Sequence, residues 1–331
     1  MTEITPLDPS LNLRGVTPAD ANAVAGLIYA VCEADGDTTV ADTPEDLLHQ
    51  WEEDGFNPET DAFLVETPEG EVVGFEVLSN EKDFVHYATD GYVHPNFQKR
   101  GIGSALLQRV EVRAREMMKS ANPELRVYLQ STFDGKDEPG KELHINMGYE
   151  FIRYFWRMEI NLTEKPPMPE FPAGIELRPF NKETDAQLLW QADNEAFSEH
   201  WGTHDSTFEE WCFWKFERPE FDPTLWFIAW DGDQIAGFTQ NRYRNGIGWV
   251  GTLGVLKPWR KMGLGLALLQ HAFGRFYARD TKTIGLGVDA SNTTGATRLY
   301  QRAGMRVASE FVTYEKELRP GKEMESAKKR V

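Results

Sequence analysis

Val255-Leu256-Lys257-Pro258-Trp259-Arg260-Lys261-Met262-Gly263-Leu264-Gly265 runs from an apolar strand through a proline turn into a glycine-rich helix start. Glycines at such a point let backbone approach a ligand closely, and the amides of a first helical turn have no partner within the helix. Together with the helix dipole they form an anion site suited to a pyrophosphate, and Arg260 and Lys261 add positive charge to it. The stretch is not alone. Gly101-Ile102-Gly103-Ser104-Ala105-Leu106-Leu107-Gln108 returns as Gly263-Leu264-Gly265-Leu266-Ala267-Leu268-Leu269-Gln270, and Gln98 and Val93 stand where Arg260 and Val255 do. Upstream, Val73-Gly74-Phe75 matches Ala236-Gly237-Phe238; downstream, Met147-Gly148-Tyr149 matches Ala303-Gly304-Met305. Colinear matches with small drifts in spacing mean one domain present twice.

Working outward, the second copy reads as a strand at 175–179, helices at 182–197 and 208–216, and a hairpin of 225–230 with 235–242. A strand at 248–255, a helix at 263–278, a strand at 283–288, a helix at 294–303 and a closing strand at 307–318 complete it. The first copy repeats this order, with helices near 19–33, 44–51, 101–118 and 141–147. Strands in series before one helix, then strand–helix–strand, predict an α/β fold of the α+β type. Each copy then holds a mixed, mostly antiparallel sheet flanked by helices. Between the copies, Pro166, Pro167, Pro169 and Pro172 favour an extended linker. The expected division is a first domain at 1–160, a linker at 161–173, a second domain at 174–320 and a tail at 321–331.

The Arg/Gln-x-x-Gly-x-Gly pattern after a strand resembles the acyl-coenzyme A pyrophosphate loop of the GNAT superfamily of N-acetyltransferases. The resemblance implies coenzyme contacts from Leu253, Gly254, Val255, Arg260, Lys261, Met262, Gly263, Leu264, Gly265 and Leu266. A second possible site in the first copy comprises Tyr92, Val93, Gln98, Lys99, Arg100, Gly101, Ile102 and Gly103. Further on, Asp289-Ala290-Ser291-Asn292 leads to Arg298-Leu299-Tyr300, where Asn292 reads as a helix cap. This looks like the GNAT element whose Asn contacts the pantetheine arm and whose Tyr faces the thioester sulfur. By that resemblance Asn292 and Arg298 join the coenzyme site, and Tyr300 is the general acid that protonates the departing thiolate. Acetyl-coenzyme A is the implied donor, and no metal is expected. Within the superfamily, the two-copy layout with the stronger second half is similar to the mycothiol synthases, which acetylate a cysteinyl amine.

The first copy is degraded where the second is strongest. Gln130 to Gly140 lacks the Asn cap and contains Pro139, and His144 stands in the place of Tyr300. The expectation is a first copy that keeps the fold without catalysis, although a histidine can also donate a proton. A general base is harder to find. The strand 249–254 holds no carboxylate, whereas the first copy has Asp90 at the position of Thr252. Either a water chain removes the amine's proton or a carboxylate arrives from elsewhere, with Asp289, Glu195 and Glu199 as candidates. Other patterns fall away. Gly246-Ile247-Gly248-Trp249-Val250-Gly251 precedes a strand instead of opening a helix, so it is not a dinucleotide fingerprint. His200 and His204 flank a loop, which breaks helical metal spacing. Trp211, Phe213, Trp214, Phe216, Phe221 and Trp226 recur at core spacing, with an acceptor-pocket lining as the alternative.

Composition bounds the partners. The net charge of −18 comes from 53 acidic and 35 basic residues, and residues 1–97 alone hold 21 acids against Arg14 and Lys82. Such a balance excludes a phosphate-tracking nucleic-acid binder and a polybasic membrane surface. Cys32 and Cys212 make no disulfide framework. No basic and apolar leader opens the sequence, and a cytoplasmic monomer or homodimer is expected. Two functions fit these features. One is an N-acetyltransferase acting on a small-molecule primary amine by direct attack, centred in the second copy; the other is a non-enzymatic acyl-coenzyme A sensor. The acidic first half either offers a face that attracts a cationic amine or serves solubility alone.

Overall fold

The computed structural model describes residues 5–198, 200–201, 205–291 and 295–324. Along the chain come β1 (Asn12–Gly15), α1 (Ala21–Asp35), α2 (Pro44–Trp51), α3 (Pro58–Asp61), β2 (Ala62–Glu66) and β3 (Val72–Lys82). They are followed by β4 (His86–Val93), α4 (Ile102–Met117), β5 (Val127–Asp134), α5 (Glu138–Asn146) and β6 (Glu150–Asn161). The second round is β7 (Ile175–Pro179), α6 (Lys182–Phe197), α7 (Phe208–Phe216), β8 (Trp226–Asp231), β9 (Gln234–Arg244) and β10 (Ile247–Val255). It ends with α8 (Leu264–Ala278), β11 (Thr283–Asp289), α9 (Ala296–Arg302) and β12 (Arg306–Arg319). Local chemistry explains the starts. Thr43 with Asp46 and Thr207 with Glu210 form capping boxes that satisfy the first amides of α2 and α7.

Two helices differ from the sequence expectation. α9 starts at Ala296 behind Gly295, whose φ of 87° makes it the cap, so Tyr300 sits little more than one turn in. α5 starts at Glu138, three residues early. Asp137 accepts a hydrogen bond from the Gly140 amide at 3.0 Å, and Pro139 occupies the first turn, where its missing N–H costs nothing. The proline that looked disruptive is placed where it favours the helix.

The chain forms two compact units, but not along the expected boundaries: one holds residues up to Tyr154 and from Glu310 on, the other Phe155–Ser309. In the first unit the strand order is β1-β2-β3-β4-β5-β12. Phe311 to Arg319 of β12 lie antiparallel to β5. In the second unit the order is β6-β11-β10-β9-β8-β7, with Phe155 to Asn161 of β6 antiparallel to β11. Each copy's closing strand thus completes the other copy's sheet. Strand period marks each closing strand as a strand but does not name the sheet it joins. The proline-rich stretch is accordingly part of the second unit. Leu162 donates its amide to the Lys282 carbonyl at 2.8 Å, and Phe171 packs against the cluster of Ala229, Ala236, Leu264 and Leu268.

Within each unit a single parallel pair, β4·β5 or β10·β11, interrupts antiparallel neighbours. α8 lays Leu268, Leu269, Ala272, Phe273 and Phe276 on the second sheet, all buried. Each large apolar side chain so placed contributes roughly 1.5–3 kcal/mol. Trp211, Phe216 and Trp226, which could have lined a pocket, are buried in this core. Among the described residues no helix is long and apolar enough to cross a membrane, and no group of three or more His, Cys, Asp or Glu side chains is placed to hold a metal.

Candidate active site

β10 and β11 pair only at Gly248↔Ile284 and Trp249↔Gly285. Beyond that point β10 pairs on its other edge alone, with β9, where the register slips between Val250 and Thr252. Two residues there oppose one, a bulge at Gly251 that bends the strand and re-aims the residues after it. Leu253, Gly254 and Val255 therefore run on without ladder partners on β11. That edge is the place the sequence assigned to the pantetheine arm.

The loop after β10 has the backbone its glycines allow. Lys261 has φ of 65° and Gly263 of 89°, and no side chain caps α8. A side chain at Gly263 would meet nothing within 4 Å, so the space over this helix start is open. Arg260 does not project into it. Its Nε donates to the Val255 carbonyl at 3.0 Å and its Nη2 to the Ala196 carbonyl at 3.1 Å, bracing the loop against β10 and α6. Lys261 and Met262 are exposed, Leu264 is buried beneath the loop, and Gly265 and Leu266 are partly covered. Leu299 lies 3.3 Å from where a Cβ of Gly265 would stand, which brings α9 against the loop end of α8. Arg298 faces solvent, while its neighbour Tyr300 is buried at 9% exposure. Burial pushes the Tyr300 hydroxyl up to about 12.

The base candidates fare differently. Asp289 is turned back on its own chain, with Oδ1 accepting from the Ser291 amide at 2.8 Å. Glu195 is exposed, because two positions along a helix from buried Asp193 is a rotation of about 200°. Glu199, Asn292 and His204 lie outside the described residues. The residues that do gather at the bulge were not singled out from the sequence. Lys215 of α7 places Nζ 2.6 Å from Gln240 Oε1 and 2.9 Å from Thr252 Oγ1. Asp193 Oδ2 stands 3.6 Å from the same Nζ and accepts from Trp211 Nε1 at 2.8 Å and Gln240 Nε2 at 3.3 Å. A signal existed: Leu189, Ala192, Asp193 and Ala196 share one helical face, which puts the aspartate with the apolar stripe.

The first copy repeats the loop and changes its surroundings. Lys99 and Gly101 have φ of 64° and 74°, close to their counterparts. Yet the Pro6 carbonyl oxygen lies 2.1 Å from where a Gly101 Cβ would stand, and Asp8 donates its amide to the Arg100 carbonyl at 3.0 Å. Gln98, Lys99 and Arg100 are exposed, Ile102 is buried, Gly103 and Val93 are partly covered, and Tyr92 donates to Asp90 at 2.8 Å. β4 shows no register slip at Asp90. His144 is buried, its Nδ1 shares a hydrogen bond of 2.8 Å with the Gly140 carbonyl, and burial lowers its pKa to about 4. A neutral imidazole whose proton is on Nδ1 has none to give from Nε2.

A family model described as the acetyltransferase (GNAT) family matches residues 28–131 and again 186–305. The chain belongs to the GNAT acetyltransferases. The two matches fall on the two copies, so this is a tandem GNAT chain. A mycothiol acetyltransferase of Kineococcus radiotolerans is 31% identical to it, over 91% of this chain and 95% of that protein. One of Geodermatophilus obscurus is 28% identical, over 87% and 91%. A solved GCN5-related N-acetyltransferase from Sphaerobacter thermophilus superposes with a TM-score of 0.83 at 38% identity, covering 97% of this chain and all of the other. These relatives place the chain among N-acetyltransferase enzymes.

Proposed function

We propose that this GNAT protein transfers the acetyl group of acetyl-coenzyme A to a primary amine of a small molecule, with the reaction in the Phe155–Ser309 unit. The observation that carries the reading is the bulge at Gly251 beside Leu253 to Val255, which pair with β9 and not with β11, ahead of an open helix start. The residues fit the donor. Backbone at Leu253 to Val255 meets an amide-bearing arm, the first-turn amides of α8 meet a pyrophosphate, and Lys261 adds charge. The bound thioester supplies an activated acyl group. The chain holds the amine in line with it, and Tyr300, kept protonated by burial, gives the sulfur its proton. The mycothiol acetyltransferase relatives favour a cysteinyl amine as acceptor. Mixing acetyl-coenzyme A with a panel of amines that includes cysteinyl glucosamines, and following thiol release with the mass of the product, tests the reading. Thiol release with an N-acetyl product supports it; coenzyme binding without transfer to any amine overturns it.

A further inference from the structure

An acceptor amine is an ammonium ion at neutral pH and must lose a proton before it can attack. Of the acids the sequence offered, Glu195 faces solvent, Asp289 Oδ1 accepts from the Ser291 amide, and Glu199 lies outside the described residues. What reaches the bulge is an amine of the protein itself. Phe238 and Gly254 face one another on the sheet side that carries Gln240 and Thr252, and α6 and α7 close that side with Asp193, Trp211 and Lys215. We propose that Lys215, acting through the Thr252 hydroxyl, is the proton acceptor for the incoming ammonium. The proposal rests on the acetyl-transfer reading and adds the proton's destination to it.

The groups around Lys215 Nζ are Asp193 from α6, Gln240 and Arg242 from β9, Thr252 from β10, and Arg218 just past α7. Desolvation lowers the lysine's pKa, Arg242 and Arg218 push the same way, and Asp193 opposes them. A lysine shifted in this direction gives up its proton more readily than an exposed one, which is the direction a general base needs. The step balances. The ammonium passes a proton to Thr252 Oγ1 as the threonine's own proton moves to Nζ, turning NH2 into NH3+. The freed lone pair forms the N–C bond, the C–S bond breaks, and sulfur takes the Tyr300 proton. Tyr300 is restored by the proton shed from nitrogen, and Lys215 releases its proton to solvent.

Titrating the full chain labelled with 15N-lysine, with Lys215→Arg assigning the resonance, tests this without any acceptor. Lys215 deprotonates at lower pH than the surface lysines, and Asp193→Asn lowers it further; titration together with or above the surface lysines overturns the proposal. With an acceptor from the amine panel, Lys215→Arg keeps the charge but cannot lose it. It lowers kcat/KM about 100-fold and removes the acid limb of the pH profile, with acetyl-coenzyme A affinity unchanged. Transfer by Lys215→Arg at the full rate overturns the assignment. Absence of transfer by the unsubstituted enzyme defeats the acetyl-transfer reading instead, and the titration still decides whether Lys215 gives up its proton.

Discussion

Tyr300 stays a phenol because, among the described residues, nothing compensates a phenolate: desolvation raises its pKa to about 12. The acid form is present below that value and lost above it, so kcat shows no basic limb from this group between pH 7 and 10. Tyr300→Phe removes the proton and keeps the ring's packing. It lowers kcat about 100-fold with acetyl-coenzyme A affinity intact, read by paired turnover and binding measurements. Unaltered turnover would remove Tyr300 from the chemistry. The sequence offered Tyr300 through the resemblance of the element at 289–300 to its GNAT counterpart, and the repeat set His144 in the matching place of the first copy. Asp193 and Lys215 were not legible, because they belong to different helices and meet only once α6 and α7 fold over β9 and β10. Arg260 was legible as a loop residue, but its guanidinium works on the Val255 and Ala196 carbonyls, a choice that spacing does not encode.

At the scale of elements, β10 is shaped by what its glycines exclude. A Cβ at Gly254 would come within 2.4 Å of the Phe238 ring, which is fully buried and has nowhere to go. Gly254→Ala therefore destabilises the second unit by about 1–3 kcal/mol in denaturant unfolding. Gly263→Ala meets open space and pays only for its positive φ, about 1–2 kcal/mol. Equal stability of Gly254→Ala and the unsubstituted protein would contradict this packing. The sequence showed the second copy's helices and strands and four helices of the first, missed α3, and showed the Gly-x-Gly turn twice. The bulge at Gly251 left no mark of its own, since a glycine in a strand is equally a packing choice.

At the scale of the molecule, the repeat was legible and the exchange of closing strands was not, because a strand's period marks it as a strand without naming its partner. The exchange makes the first unit depend on the end of the chain: Val312, Tyr314 and Leu318 are buried in its core. Ending the chain at Ser309 strips the edge of β5. Hydrogen exchange then shows lost protection over residues 127–134, while β8 to β10 keep theirs. Undiminished protection of β5 would place its partner elsewhere. The central claim, that transfer runs on the second unit's loop, is met most directly by matched charges in the two loops. Leu266→Asp and Ser104→Asp each put a carboxylate at the third residue of a loop helix, α8 and α4, where it repels a phosphate. Steady-state acetyl transfer should show a raised KM for acetyl-coenzyme A in Leu266→Asp and none in Ser104→Asp. The reverse pattern would contradict the account.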